Sequence, residues 1–216
     1  MLKIEADKKL RKEFKRQVEN LLQKGYPKAA GLTTEEFLNY IEPLNKRVDE
    51  LTLPEKEIDN GYLPFIIVVK NDLISSEKMM AKVERDGKKG FISMYPVEPK
   101  SFKPIDDLKI PRSMAYLLVD IDRGQETINI APDDAIKIIK KKNRSPLTID
   151  EGIAIITHNP EFLKKNNCFS LLASRGKDKR VPALWISEGK PKLGWCWAGN
   201  PHSWLGSASC SSRFSS

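Results

Sequence analysis

Apolar positions along the chain fall into helical and strand periods that can be assigned segment by segment. Leu10, Phe14, Val18, Leu21 and Leu22 recur every three or four residues with charges between them, so they predict an amphipathic helix. Gly25 and Pro27 end it. A second helix begins at "TTEEF", where Thr33 and Glu36 have capping-box spacing, and Phe37, Leu38, Ile41, Leu44 and Val48 form its stripe. Pro43 must kink or split that helix, because it lacks the N–H the helix needs. Together they predict a helical hairpin over about residues 6–49, with apolar faces too wide to leave in water.

The next stretch, "LTLPEKEIDNGYLP", mixes Pro, Gly and Asn and marks a boundary between a helical subregion (1–50) and a larger body (51–216). Beyond it, "FIIVV" and "AYLLVDID" (Ala115 to Asp122) carry the β-branched and apolar content of buried strands, and "RGQETINI" is a candidate return strand. "SSEKMMAKVERDG" predicts a short helix, with a hairpin at "RDGKKG" as the competing assignment. "APDDAIKIIKKKN" has acids in its first turn and lysines in its last, matching the helix dipole. "SPLTIDEGIAIIT" opens on a second capping box, Thr148 and Glu151, and "NPEFLKKNN" predicts a shorter helix. "VPALWIS", "EGKPK" and "LGWCWAG" are strand, turn and strand. No segment recurs at a fixed period, and strands and helices do not alternate regularly. The fold class expected is α+β, a helical hairpin packed on a mixed or antiparallel sheet with additional helices, the two parts forming one cooperative domain.

Composition narrows the setting. The amino end, "MLKIEADKKLRKEFKRQ", is charged throughout and has no secretory h-region. The longest apolar runs are strand-sized, which excludes a helical membrane span. Three cysteines, an odd number, do not make a secreted disulfide framework, so the expected location is the cytoplasm. The 216 residues carry a net charge of +8. Nine cationic and four anionic side chains lie between 151 and 216, so most of the surplus sits in the last third. Such a surface suits anionic small molecules or, more weakly, nucleic acid.

That same third ends in "KLGWCWAGNPHSWLGSASCSSRFSS", which holds three of the four tryptophans, two of the three cysteines and one of the two histidines. In an extended "LGWCWAG", Trp195 and Trp197 share a face with Leu193 while Cys196 points the other way, and Trp185 joins the aromatic face if the register suits. Core packing is the competing explanation for that face. The loop after it sets His202 and Trp204 among small residues, with Asn200 and Ser203 as hydrogen-bonding groups. Arg175 and Arg180, in "ASRGKDKR", supply positive charge upstream.

Three chemistries are open to these residues. The first is non-covalent binding of an anionic or planar ligand by Trp195, Trp197, Asn200, His202, Ser203, Trp204, Arg175 and Arg180. The alternative is a thiol-dependent hydrolase or transferase, with Cys196 or Cys210 as nucleophile and His202 as base. A metal site is disfavoured: Cys196, His202 and Cys210 are spaced C-x5-H-x7-C, with Cys168 or His158 as a fourth ligand, and close ligand pairs are missing. Neither a Walker A loop nor a G-x-S-x-G elbow occurs, and no cofactor is indicated. Asp120 and Asp122 in "VDIDRG" would share a strand face about 7 Å apart, spaced for a Mg²⁺ ion or for the polar end of a strand. "KKKNR" (Lys140 to Arg144) either touches phosphate or closes a helix, and His158 is expected at a helix carboxyl end.

The segments "QVENLLQKGYPKAAGLTTEEFLNYIEPL", "AYLLVDIDRGQETINIAPDDA", "RSPLTIDEGIAIITHNPEFLKKNNCFSL" and "RVPALWISEGKPKLGWCWAGNPHSWLGSASC" together resemble an uncharacterised bacterial family, a domain of unknown function. The resemblance runs from about Gln17 to Cys210 and ends in the Gly-Trp-Cys-Trp-Ala-Gly-Asn-Pro-His motif. It implies a bacterial protein with a single domain architecture, and it implies no reaction and no catalytic residue.

Overall fold

The amphipathic stretch at the amino end forms α1 (Leu2–Gln23). Gly25, at φ +67°, turns the chain out of it into the short α2 (Tyr26–Ala30). The Thr33–Glu36 capping box is formed and opens α3 (Thr34–Ile41). Pro43 then sits in a 3-10 turn over Glu42–Leu44, and the helix resumes as α4 (Asn45–Asp49). The expected two-helix hairpin is therefore a chain of four helices, with Pro43 dividing the second arm. The computed structural model describes residues 2–51 and 61–216, so the boundary expected in the connector lies largely outside the described residues.

Among the described residues two five-stranded sheets follow, beside two small two-stranded ones. In the first, β1 (Tyr62–Val69) pairs antiparallel along β6 (Ala115–Asp122). Between them lie α5 (Ser76–Met80), the hairpin of β2 (Glu84–Arg85) and β3 (Lys88–Lys89), β4 (Phe91–Ile92) and β5 (Lys103–Pro104). Both competing assignments for this region thus occur, the helix first and the hairpin after it. "RGQETINI" forms a 3-10 turn, Gln125–Thr127, and no return strand. α6 (Pro132–Lys141), β7 (Ser145–Pro146) and α7 (Ile149–His158) come next. "NPEFLKKNN" yields only a 3-10 turn, Pro160–Phe162.

The second sheet has the order β12-β8-β10-β11-β4. It combines β4 with β8 (Cys168–Ser170), the hairpin of β10 (Arg180–Ser187) and β11 (Lys190–Trp197), and β12 (Leu205–Ser207). β9 (Ser174–Arg175) pairs separately with β5. The tail then returns to the first sheet: β13 (Ser209–Cys210) bridges β6 and β7, and β14 (Ser212–Phe214) lies along β6. The fold is α+β. Among the described residues, no helix is long and apolar enough to cross a membrane.

α7 lies between the sheets. It packs on β1, and a side chain at Gly152 would collide with Leu184 of β10 and with Leu171, which follows β8. Every residue from Ile153 to His158 is buried, so this helix is enclosed on all sides. α1 closes the molecule over it. Gln17 Nε2 donates to the Phe65 carbonyl at 3.1 Å, and its Oε1 accepts from the Ile67 N–H at 2.8 Å. The side-chain amide thereby satisfies backbone groups of β1 that β6 does not use, and covers that open edge. Arg16 and Asn20 donate to the last carbonyls of α7, His158 and Thr157. Those groups have no partner within their own helix.

Candidate functional site

The β10–β11 turn has only two residues, Glu188 and Gly189, both at positive φ (53° and 74°). This short loop fixes the pairing. Trp197 falls opposite Arg180, Trp195 opposite Pro182, and Trp185 opposite Lys192. Directly paired residues share a face, so Trp195 and Trp197 lie with Arg180 and Leu193 as expected. Trp185 does not join them. It lies on the other face with Cys196, because the strands turn at Glu188–Gly189 and run to the very ends of the loop.

Two aromatic groupings result. On the first face the Arg180 guanidinium sits 4.4 Å from the Trp195 ring centre and 4.8 Å from that of Trp197, while pairing with Asp178. Trp195 Nε1 donates to the Met94 carbonyl at 3.0 Å. Trp195 is thus held partly as core, and Trp197 remains 40% exposed. On the opposite face Trp185 lies over Gly194, where any Cβ would stand 2.1 Å from the indole. Trp204 meets Trp185 edge-on at 6.1 Å, and the His202 ring lies 5.2 Å from Trp204, tilted by 34°. Trp185, His202, Trp204, Asn200 and Cys196, together with Trp195 and Trp197 from the first grouping, line a cleft of about 270 Å³.

Backbone bonds hold the loop over this cleft. The Ala198 N–H donates to Lys179, and the Ala198 carbonyl accepts from Asp133. The His202 carbonyl accepts from Asn129 and Leu205, and the Trp204 carbonyl from Cys168. Ser203 is exposed beside the cleft. Arg175 sits apart on β9, 3.5 Å from Asp133, so the structure does not bring it onto the aromatic wall.

The cysteines are all free and buried. Burial pushes the Cys196 thiol up to about 11 and the Cys210 thiol up to about 12, and raises Cys168 as well. An activated nucleophile needs the opposite shift. Cys196 meets Ser170 Oγ at 3.9 Å, and Cys210 lies in the first sheet, paired with Ser145. His158 is buried on α7 with Nδ1 against Asn20. Among the described residues no three His, Cys, Asp or Glu side chains converge as a metal site. Asp120 is ion-paired with Arg144, and Asp122 accepts the Gly124 N–H at 2.7 Å. Within "KKKNR", Lys140 and Lys142 pair with Asp107 and Glu126.

A family model described as "Family of unknown function (DUF5701)" matches residues 20–216. The chain belongs to that family. No curated protein and no solved structure matches it. Family membership accordingly brings no activity with it, and the chemistry must be argued from the cleft itself.

Proposed function

We propose that this family member is a binding protein for a planar, anionic small molecule, held by stacking in the cleft of Trp185, His202 and Trp204. The observation that carries this reading is the open cleft walled by four indoles and an imidazole, beneath a loop tied down by five backbone hydrogen bonds. Aromatic walls of this kind favour a flat π-system. Lys192 Nζ, 5.0 Å from the Trp185 ring centre, sets a positive charge beside that indole, and Asn200 offers polar contacts in the cleft. Three unpaired cysteines suit a reducing bacterial cytoplasm. The thiol-enzyme alternative gains no support, because burial keeps all three thiols protonated.

Tryptophan fluorescence tests the reading, with AMP and flavin mononucleotide as probes. Saturable quenching is expected, weakened at least about tenfold in Trp204→Ala and retained in Phe214→Ala, whose ring lies on β14 and does not line the cleft. An unquenched wild-type protein, or equal quenching in Trp204→Ala, would remove the proposal.

A further inference from the structure

A second cavity, of about 480 Å³, opens where β1, β6 and the amino end of α7 meet the segment around β5. It shares no lining residue with the tryptophan cleft. Its volume suits a small ligand. Asp150, the second residue of α7, lines it. One carboxylate oxygen, Oδ2, accepts the Asn71 N–H at 3.0 Å. The other, Oδ1, is closed off from water and has no hydrogen-bond partner. An unsatisfied buried oxygen is costly on an ionised carboxylate and much less so on a neutral acid. Burial accordingly pushes the Asp150 carboxyl up to about 7, with Glu151 and Asp72 adding to the rise, and the Asn71 bond and Lys70 opposing it.

The rest of the wall is rich in cations. Lys70 pairs with Asp72 at 3.1 Å, and Lys100 pairs with Glu98 at 2.8 Å. Lys103 and Arg112 make no ion pair with any described residue. The other charged or titratable groups facing Asp150 are Glu77 from α5 and Tyr116 from β6, whose hydroxyl is engaged with Glu151. With Asp150 neutral, the cations outnumber the acids on this wall. With Asp150 ionised, it joins Asp72 and Glu77 as a third acid on that wall. Neither histidine lines the cavity.

We propose that this cavity binds a small molecule through a tetrahedral oxyanion held by Lys103 and Arg112, and that Asp150 must carry its proton for the anion to enter. Free phosphate or sulfate and their small esters share this chemistry. The site is independent of the tryptophan cleft, so either reading can fail alone.

Sulfate is the probe, because it stays a dianion across the range tested. Calorimetric titration at matched ionic strength should give saturable binding at pH 6 that weakens roughly tenfold by pH 8, as the fraction of neutral Asp150 falls. Asp150→Asn, which stays neutral, should bind equally at both pH values. Lys103→Ala with Arg112→Ala should weaken binding at least about fivefold, and Trp204→Ala should leave it unchanged. Competition by methyl sulfate as strong as by sulfate would assign the site to esters, and competition by sulfate alone to the free anion. Absence of saturable sulfate binding at pH 6 would overturn the proposal. So would a pH dependence that persists in Asp150→Asn, or full affinity without Lys103 and Arg112.

Discussion

Asp150 and His158 stand at opposite ends of α7, and burial moves them in opposite senses. The helix dipole favours an ionised acid at the amino end and a protonated histidine at the carboxyl end, each by up to about 2 kcal/mol. Desolvation outweighs it at both. Burial, helped by the nearby Arg16 charge, lowers His158 to about 3, so the unfolded chain takes up a proton that the folded chain refuses. Stability from this group therefore falls as pH drops from about 6.5 towards 3. Asp150 behaves inversely: from about pH 4 to 7 the folded chain holds a proton that the unfolded chain has released. Its contribution is complete below pH 4 and is lost as pH rises through 7. Between about pH 4 and 6.5 the two slopes oppose each other. Asp150→Asn removes one of them, so the stability of the variant minus that of the wild type should rise by about 1.4 kcal/mol per pH unit there and level off above about pH 7.5. Urea unfolding at half-unit steps of pH measures it. A difference that stays flat with pH would show that Asp150 titrates normally.

The same helix carries a buried ion pair that ties the tail strand to the core. Glu151 closes the capping box by accepting the Thr148 N–H at 2.7 Å, and it also accepts from Tyr116 and from two nitrogens of Arg213 on β14. Glu151 is fully buried, and Arg213 also donates to Ser145 and to the Pro146 carbonyl. Burial works against the Arg213 charge, but Glu151 outweighs it and raises the pKa of the guanidinium. Arg213→Met strands a buried carboxylate, which should cost about 3–5 kcal/mol, and adding Glu151→Gln should recover much of the loss while keeping the cap. A loss below about 1 kcal/mol in denaturant unfolding would mean the pair behaves as an exposed one.

These elements also mark where the sequence was legible. Both capping boxes, the dipole-matched α6 and the β10–β11 hairpin follow from local chemistry, because each is specified within one continuous short stretch of chain. The face of Trp185 was readable in principle: taking Glu188–Gly189 as a two-residue loop sets residue 185 against 192. β12, β13 and β14 were not. Their Ser- and Gly-rich sequence has little strand propensity, and the pairing partners lie in distant parts of the chain. Gly206 and Gly124 approach so closely that a Cβ on either would strike the other's segment, a contact no local pattern announces. Asp150 was hidden differently. An acid in a first helical turn has an ordinary explanation, and only tertiary packing withdraws the second partner from its carboxylate.

Across the molecule, the first helices and the α+β body are joined by polar bonds as well as apolar packing. Arg16, Gln17 and Asn20 place their side chains on backbone groups of β1 and α7, where water is excluded. Phe14 and Leu21, on the same helix, belong to the common core. Losing α1 would expose the edge of β1 and the last carbonyls of α7 together, which should couple the folding of the two parts. Unfolding should therefore be a single transition. The chain offers two separate reporters, since all four tryptophans lie between 185 and 204 while α1 to α4 contribute much of the helical circular dichroism. Fluorescence and far-ultraviolet dichroism should give coincident urea midpoints. In Gln17→Ala both midpoints should fall together, reflecting a stability loss of about 1–3 kcal/mol for the unsatisfied edge groups. A dichroism transition that precedes the fluorescence change would instead show that the helices detach first and fold as a separate unit.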